Sequence, residues 1–574
     1  MKTLSQFFGK VRLIVANFSW KERAIFVTSV MLFCIGAFFG LVSISNRHTD
    51  IVAIFGGTYH EGVVGSPRFI NPVLANSDAD HDLSALVYNG LVRMDGNGNL
   101  IGDLASSWTI SPDGKTYTFI LKPNLKFQDG KPLTSADVAF TVTKIQDPTL
   151  KSPLAVAWDG VGVTTPDATT VVFSLQKPYA NFLNQLTIGI LPSHIWTNIA
   201  DDNWIQSQYN TEPIGSGPFR VTSVSRSNVG VPQTYSLKAF SGFALGRPLI
   251  KHFDVTSFAN QDDASSAFKS GSIDGLAMVD PSAIAGLKSR GTQVLTTQLP
   301  RVFGIFFNPQ QNPIFADQTV VKALNLSVDK NALIRSVFDG YAVPLSGPLP
   351  QLTDTSITDI TTNQQLAGKM LDADGWKINP TTGIREKTVT SGKTKTTTQL
   401  SFSLSTANTP ELENSAQLIA DQLQKIGVQV DVKVFEIGNL NANVIRARNF
   451  DALLFGEIIQ NDTDIYAFWD SSQIADPGLN ITGYKNKTVD ALLEKALITP
   501  DQTARFTLYN QVSTQLAATA PVIFLYSPDF TYLLNPSVHN ATIPPITQSS
   551  DRFSLVYQWY IRTDRVWKNF ENKD

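Results

Sequence analysis

From Ala24 to Ile44 the chain reads AIFVTSVMLFCIGAFFGLVSI, and no charged residue interrupts it. A run of this length, at about 1.5 Å per residue, spans the ~30 Å hydrocarbon core of a bilayer as a helix. Lys2, Lys10, Arg12, Lys21 and Arg23 precede it, with Glu22 alone opposing them. Positive charge stays on the cytoplasmic side. Residues 1–23 are therefore expected to form a cytoplasmic stub and 24–44 a single transmembrane helix. Everything after Asn46 should lie outside the cytoplasm, at the cell surface or in a periplasm. Within the stub, Phe7, Phe8, Val11, Ile14, Val15 and Phe18 recur at helical spacing. They read either as an amphipathic helix on the inner membrane surface or as an extension of the spanning helix. A cleaved signal peptide is the alternative to an anchor. Its apolar region is usually shorter, about 7–15 residues, and Ser43 and Ser45 make only a poor cleavage site. Phe33, directly before Cys34, does not suit lipidation of that cysteine.

At 574 residues the chain is too long for one core, since single cores stop growing near ~250–300 residues. The net charge is −3 with no basic block, which argues against a nucleic-acid partner, because phosphate neutralisation needs clustered Lys and Arg. Cys34 is the one cysteine, so no intrachain disulfide forms. His48, His60, His81, His194, His252 and His539 are scattered, without metal-ligand spacing.

Beyond Gly56 short strands alternate with helices. TYTFIL (116–121) alternates and follows the turn SPDG, a hairpin signal. VVFSL (171–175) reads as another strand, and SADVAFTVTKIQ as a helix capped by Ser135. ELENSAQLIADQLQKIG places Leu412, Ala416, Ile419, Ala420 and Leu423 on one helical face and stops at Gly427. It leads into the alternating strand VQVDVKVFEI. The polar segment 388–399 reads as a hairpin tip or loop, and LVYQWYIR (555–562) as a closing strand. Helix and strand in repeated succession define an α/β fold.

Five segments, in order, resemble the family 5 extracellular solute-binding proteins, the oligopeptide, dipeptide and nickel binders of ABC importers. They are GGTYHEGVVGSPRFINPVLANSDAD; LVYNGLVRMDGNGNLIGDLASSWTISPDGKTYTFILKPNLKFQDGKPLTSADVAFT; PIGSGPFRV; VFGIFFNPQQNPIFADQTVVKALNLSVDKNALI; and NFDALLFGEIIQNDTDIYAFWDSSQ with GLNITGYKNKTVDALLEKA. The resemblance implies a periplasmic-binding-protein type II fold: two α/β lobes joined by two crossing strands, the first lobe enlarged by an inserted subdomain. Chain order then assigns 51–80 to lobe I, 81–212 to the inserted subdomain, 213–300 to lobe I again, 301–525 to lobe II, and 526–574 to lobe I once more.

The resemblance also implies the function. Such a protein is a monomer without a cofactor or catalytic residues. It captures a short peptide between its lobes and delivers it to the permease subunits of an ABC transporter, held to the membrane by the N-terminal helix. Extended ligand adds to exposed backbone of both lobes. On lobe I the matching residues are Glu61, Gly62, Val63 and Val64. On lobe II they are Gly456, Glu457, Ile458 and Gln460. Relatives carry an Asp where this chain has Gln460, and it holds the ligand's ammonium; a buried cation needs a partner. Asp462 is the favoured substitute here, with Asp464, Glu457 and Glu61 as others. The plain alternative for Asp462 and Asp464 is a loop turn capping the helix that opens at Ile465. Tyr526 and Phe435 match cleft-lining positions, Phe435 reading equally as a packed strand aromatic. Trp158, Trp469 and Tyr484 read as core.

Other chemistry is poorly supported. Asp78, Asp80 and Asp82 open like a calcium loop, but Leu83 and Asn89 fall where Gly and Glu are needed. His60 beside Glu61 would touch a metal chelate, or be an ordinary polar wall residue. No nucleophile, zinc or phosphate-loop motif occurs. A nickel chelate, a sugar or another amine remains open as ligand, and an anchored hydrolase or a sensor ectodomain as the rival class.

Overall fold

The computed structural model describes residues 17–350, 360–391, 394–459 and 461–567. Most of the expected amphipathic segment before Trp20 lies outside them. Two compact units emerge, one joining the residues up to Gly56 with those from Tyr560 on, the other running from Gly57 to Trp559.

In the first unit, helix α1 spans Trp20–His48. Ser19 starts it: its amide donates to Glu22 Oε2 at 2.8 Å, and its hydroxyl accepts from the Glu22 amide at 3.4 Å. That reciprocal cap satisfies two otherwise orphaned donors. The stretch Trp20–Gly40 has a mean hydropathy of 1.9, and none of it is buried. It is long and apolar enough to cross a membrane. Strand β1 (Thr49–Ile54) follows at once. It pairs antiparallel with the C-terminal strand Arg562–Trp567, from Thr49 against Trp567 to Ile54 against Arg562.

The expected closing strand 555–562 needs correction. Val556–Gln558 forms a single 3₁₀ turn, and the strand begins only at Arg562. Val556 and Trp559, both fully buried, are three residues apart, which is helical spacing.

In the second unit, β2 (Gly56–Val64) is followed by α2 (Asp78–Val87). Ser77 and Asp80 cap α2 reciprocally, so Asp80 serves the helix. The SPDG hairpin is present as β3 (Ala105–Ile110) and β4 (Thr116–Leu121). Helix α3 (Ser135–Ile145) is capped one residue earlier than expected, by Thr134, whose amide donates to Asp137 Oδ2 at 2.9 Å. Strand β5 (Thr170–Ser174) pairs with β4.

A 12-stranded mixed sheet organises the rest. Its remaining strands are β6 (Phe219–Arg226), β7 (Pro232–Ala239), β8 (Ile250–Phe258), β9 (Gly275–Ala277), β10 (Gln293–Gln298), β11 (Arg301–Phe307), β12 (Ala342–Pro344), β13 (Ser401–Ala407), β14 (Gln429–Phe435), β15 (Ala452–Ile458) and β16 (Val522–Leu534). Their order is β14-β13-β15-β11-β16-β9-β2-β8-β7-β6, with β10 and β12 also on β16. Between β13 and β14 runs α4 (Pro410–Gln424), which buries the expected Leu412, Ala416, Ile419, Ala420 and Leu423. Gly427, at φ +81°, supplies the left-handed residue that ends it. Segments 385–391 and 394–399 pair as a hairpin.

One large apolar core is assembled wholly from residues between Val302 and Tyr526. A smaller one joins Ala264, Phe268, Ile273, Leu276 and Ile284 with Leu533 of β16.

A buried ionic knot fastens the C-terminal segment to β2 and α2. The Arg552 guanidinium donates to Glu61 Oε1 at 2.8 Å and to Asp82 at 2.6 and 2.7 Å. The other Glu61 oxygen accepts from the hydroxyls of Tyr59 (2.6 Å) and Tyr532 (2.7 Å). Both Glu61 and Arg552 are essentially inaccessible to solvent. Burial pushes the Glu61 pKa up, with Arg552 opposing it. Removing one partner from such a cluster strands the others in low dielectric. Arg552→Met is therefore expected to lower the unfolding free energy by about 3–5 kcal/mol. Urea unfolding at pH 7.5 measures this, and a loss under about 1 kcal/mol would deny the knot its structural role.

Candidate functional site

Strand β16 changes partners midway. Its first half pairs with β11 and β12, and its second half with β9 and β10. At that change lies a cavity of about 470 Å³, within the usual ~300–1,000 Å³ of ligand pockets.

Its aromatic wall follows from one glycine. A Cβ on Gly456 of β15 would sit 2.7 Å from the Phe303 ring, so only glycine lets that ring lie against the strand. Phe303 then stacks on Tyr526, with centroids 5.0 Å apart and planes at 11°. Tyr526 meets Phe338 at 4.5 Å. Tyr526 itself is almost wholly buried. Leu299, Tyr341, Leu412, Phe455 and Ile458 continue the lining.

The backbone of β15 is open beside this cavity. Strand β13 pairs with it only at Ala452 and Leu453, whereas β11 follows it to Ile458. Residues 455–458 thus have a strand neighbour on one side only, among the described residues.

The polar part of the lining is charged. Asp529 follows the crossing on β16; its amide donates to the Tyr341 carbonyl at 3.1 Å. Its carboxylate makes no hydrogen bond or ion pair among the described residues, and burial pushes its pKa up to about 6. Arg301, at the start of β11, lines the same cavity and likewise has no ion pair among the described residues.

The residues read from sequence fall into different places. Gly456, Ile458 and Tyr526 line the cavity together. Glu457, between the first two, points away from it. It is 5% exposed, its Oε2 has no hydrogen-bond partner among the described residues, and burial raises its pKa well above the usual carboxylate range. Asp462, the expected ammonium partner, is held by two protein groups: Arg505 Nε donates to it at 3.0 Å, and Asn181 Nδ2 donates to its other oxygen at 3.0 Å. Asp464 accepts from the Asn461 amide at 2.8 Å and caps the turn there. Glu61 spends both oxygens in the knot around Arg552. Val63 is buried in β2 and Val64 exposed at its end. Phe435 packs against the large core. Gln460 lies outside the described residues. Sequence reasoning did not pick out Arg301, Phe303, Phe338, Tyr341 or Asp529. The signal for Asp529 is Pro528 inside an apolar strand, which marks a break in the ladder.

Residues 99–476 match the family described as Bacterial extracellular solute-binding proteins, family 5 Middle. The chain belongs to this family. Among family 5 relatives, it is 28% identical over 490 residues to the oligopeptide-binding protein AppA of Bacillus subtilis, covering 83% of this chain and 87% of that protein. It is 26% identical to the glutathione-binding protein GsiB of Pectobacterium atrosepticum, covering 79% and 86%. The solved structure of AppA in complex with a nonapeptide superposes with a TM-score of 0.63 at 26% identity, covering 89% of this chain and all of that one. The ABC transporter substrate-binding protein CtaP of Listeria monocytogenes superposes at 0.71 with 26% identity, covering 88% and 99%. These family 5 relatives are binding proteins, not enzymes.

The uncompensated Asp529 has a thermodynamic consequence. In the unfolded chain its carboxyl titrates near ~3.9, and burial in the folded protein raises that to about 6. Between these values the folded state binds more protons, so this group lowers stability as pH rises through the window. The penalty is absent below about pH 4 and complete above about pH 6, reduced by solvent screening of a half-buried group. Asp529→Asn is expected to raise the thermal midpoint by about 1–3 °C at pH 7.5 and to leave it unchanged at pH 4. Melting curves at both pH values check this; a lower midpoint at pH 7.5 would mean that the carboxylate is compensated.

Proposed function

We propose that this family 5 protein is a membrane-anchored capture protein for short peptides, which it hands to the permease of an ABC importer. In this reading the two halves of the large sheet are lobes. Residues 301–525 form one. Residues 51–80, 213–300 and 526–574 form the other, with 81–212 inserted into it. Ligand bridges the lobes at the seam where β16 changes partners, and closure follows because a bridging ligand binds the closed arrangement better than the open one.

The observation that carries the reading is the unpaired edge of β15 beside an aromatic cavity. An extended peptide satisfies such an edge with its own main chain, gaining affinity without reading sequence. Aromatic walls then accept its side chains. Gly456, Ile458 and Tyr526 are the proposed contacts among the residues read from sequence, joined by Phe303 and Tyr341. AppA with its nonapeptide and GsiB with glutathione support peptides as the ligand class. The apolar run of α1, with Lys21 and Arg23 in the helix's first turn, supports an anchor with the N-terminus in the cytoplasm.

The test uses the full chain in nanodiscs. Native mass spectrometry is expected to release a set of short peptides, and added peptides should shrink the ectodomain in small-angle scattering. A protein that carries no peptide, and whose dimensions ignore every di- to pentapeptide offered, defeats the proposal.

A further inference from the structure

The passage from the apolar helix to the paired strands of the first unit has no slack. As a helix, the uncharged run 24–44 is about 30 Å long, the thickness of a bilayer's hydrocarbon core. Four polar residues, Ser45 to His48, complete α1 and carry the chain about 6 Å further. A headgroup layer is about 5–7 Å deep on each side of the core. Strand β1 begins at the next residue, Thr49. In a bilayer the ribbon of β1 and Arg562–Trp567 therefore starts at the level of the headgroups.

The register of that ribbon sorts its side chains onto two unlike faces. Residues directly opposite in an antiparallel pair share a face, and successive residues alternate between faces. Ile51 lies opposite Arg565, and Ala53 opposite Thr563. Their face carries an apolar residue and a cation but no carboxylate. Asp50 lies opposite Val566, Val52 opposite Asp564, and Ile54 opposite Arg562. Both carboxylates of the ribbon thus fall on this second face. Ile51 is 62% exposed, and Arg565 is exposed as well. Arg565 leans toward the end nearest α1, where its Nη1 donates to Thr49 Oγ1 at 3.5 Å. Arg47 and His48, in the last turn of α1, add positive charge at the same level.

We propose that the ribbon lies flat on the outer leaflet, with Ile51 and Arg565 against anionic lipid headgroups and Asp50 and Asp564 turned to water. This rests on the anchored reading above and gives the anchor a second, sided contact with the membrane. An anionic surface attracts the guanidinium and repels the carboxylates, so all three charges favour the same orientation. Ile51 gains by leaving water for the interface. A ribbon standing upright would keep Ile51 in water and draw nothing from the separation of charge between its faces. Because α1 already holds the bilayer within reach, the contact forms at a high effective concentration and needs little intrinsic affinity.

The experiment labels two single-cysteine forms of the full chain, Ile51→Cys and Val52→Cys, each with Cys34→Ala, using one environment-sensitive fluorophore. Both are placed in nanodiscs of phosphatidylcholine and phosphatidylglycerol that contain a headgroup-nitroxide lipid as quencher. The probe at position 51 is expected to be quenched at least about twofold more than the probe at position 52, and the difference should narrow in phosphatidylcholine alone. Adding Arg565→Gln should bring the two positions together, while Arg565→Lys, which keeps the charge, should hold them apart and guards against a misfolded ribbon. Equal quenching at both positions in the mixed nanodiscs overturns the proposal, as does a difference that Arg565→Gln leaves undiminished. A probe at position 51 that is shielded from water yet unquenched means that protein covers this face instead, and it overturns the lipid contact. Intact mass of the embedded chain separates these results from failure of the anchor: a chain recovered without residues 20–44 removes the anchored reading and the contact with it.

Discussion

Strand β16 is one continuous element of 13 residues that serves two sets of partners, and Pro528 sits where they change. Proline has no amide hydrogen, so the ladder loses a donor there. What remains is a local clasp: the Pro528 carbonyl accepts from the Leu299 amide at 3.0 Å, and the Ser527 hydroxyl donates to the Leu299 carbonyl at 2.8 Å. Residues 298–301, between β10 and β11, cross at the same place. Two adjacent crossings bring the sheet's halves together while leaving side chains around the seam without a facing strand. The cavity is that gap, and Leu299, Arg301, Tyr526, Pro528 and Asp529 all line it.

The α/β class, the N-terminal apolar helix and the family were legible in the sequence, because each rests on local pattern or on ordered motifs. Hairpin β3–β4 and helix α4 came out as read, since turn chemistry and a 3.6-residue period are contained within a dozen residues. The closing strand at 555–562 failed because a run of apolar residues does not disclose its own period. The site was less legible. Gly456, Ile458 and Tyr526 share the cavity, but the partners of a charged residue depend on contacts far away in sequence. Asp462 meets Arg505, 43 residues on, and Glu61 meets Arg552, 491 residues on. No pattern near Asp462 announces a guanidinium, and none near Asp529 announces the lack of one.

The chain ends show the same dependence in a simpler form. Strand β1 begins at the residue after α1 ends, with no glycine- or proline-rich linker between them. By itself β1 would be a short strand with two open edges, which is unstable in water. The C-terminal strand Arg562–Trp567 covers one of those edges along its full length. The terminal segment thus supplies the pairing that makes the stretch after the apolar helix an ordered ribbon. A cleavage at Ser43 or Ser45 would leave that ribbon whole, because β1 starts beyond it.

Several buried charges of this chain are closely paired. Arg552 is shared by Glu61 and Asp82, Arg505 by Asp462 and two carbonyls, and Arg385 by Asp372 and the carbonyls of Trp376 and Ile426. Against that background the separation of Arg301 from Asp529 is informative. Pairing them would relieve the penalty on Asp529, but it would also close the cavity's polar end.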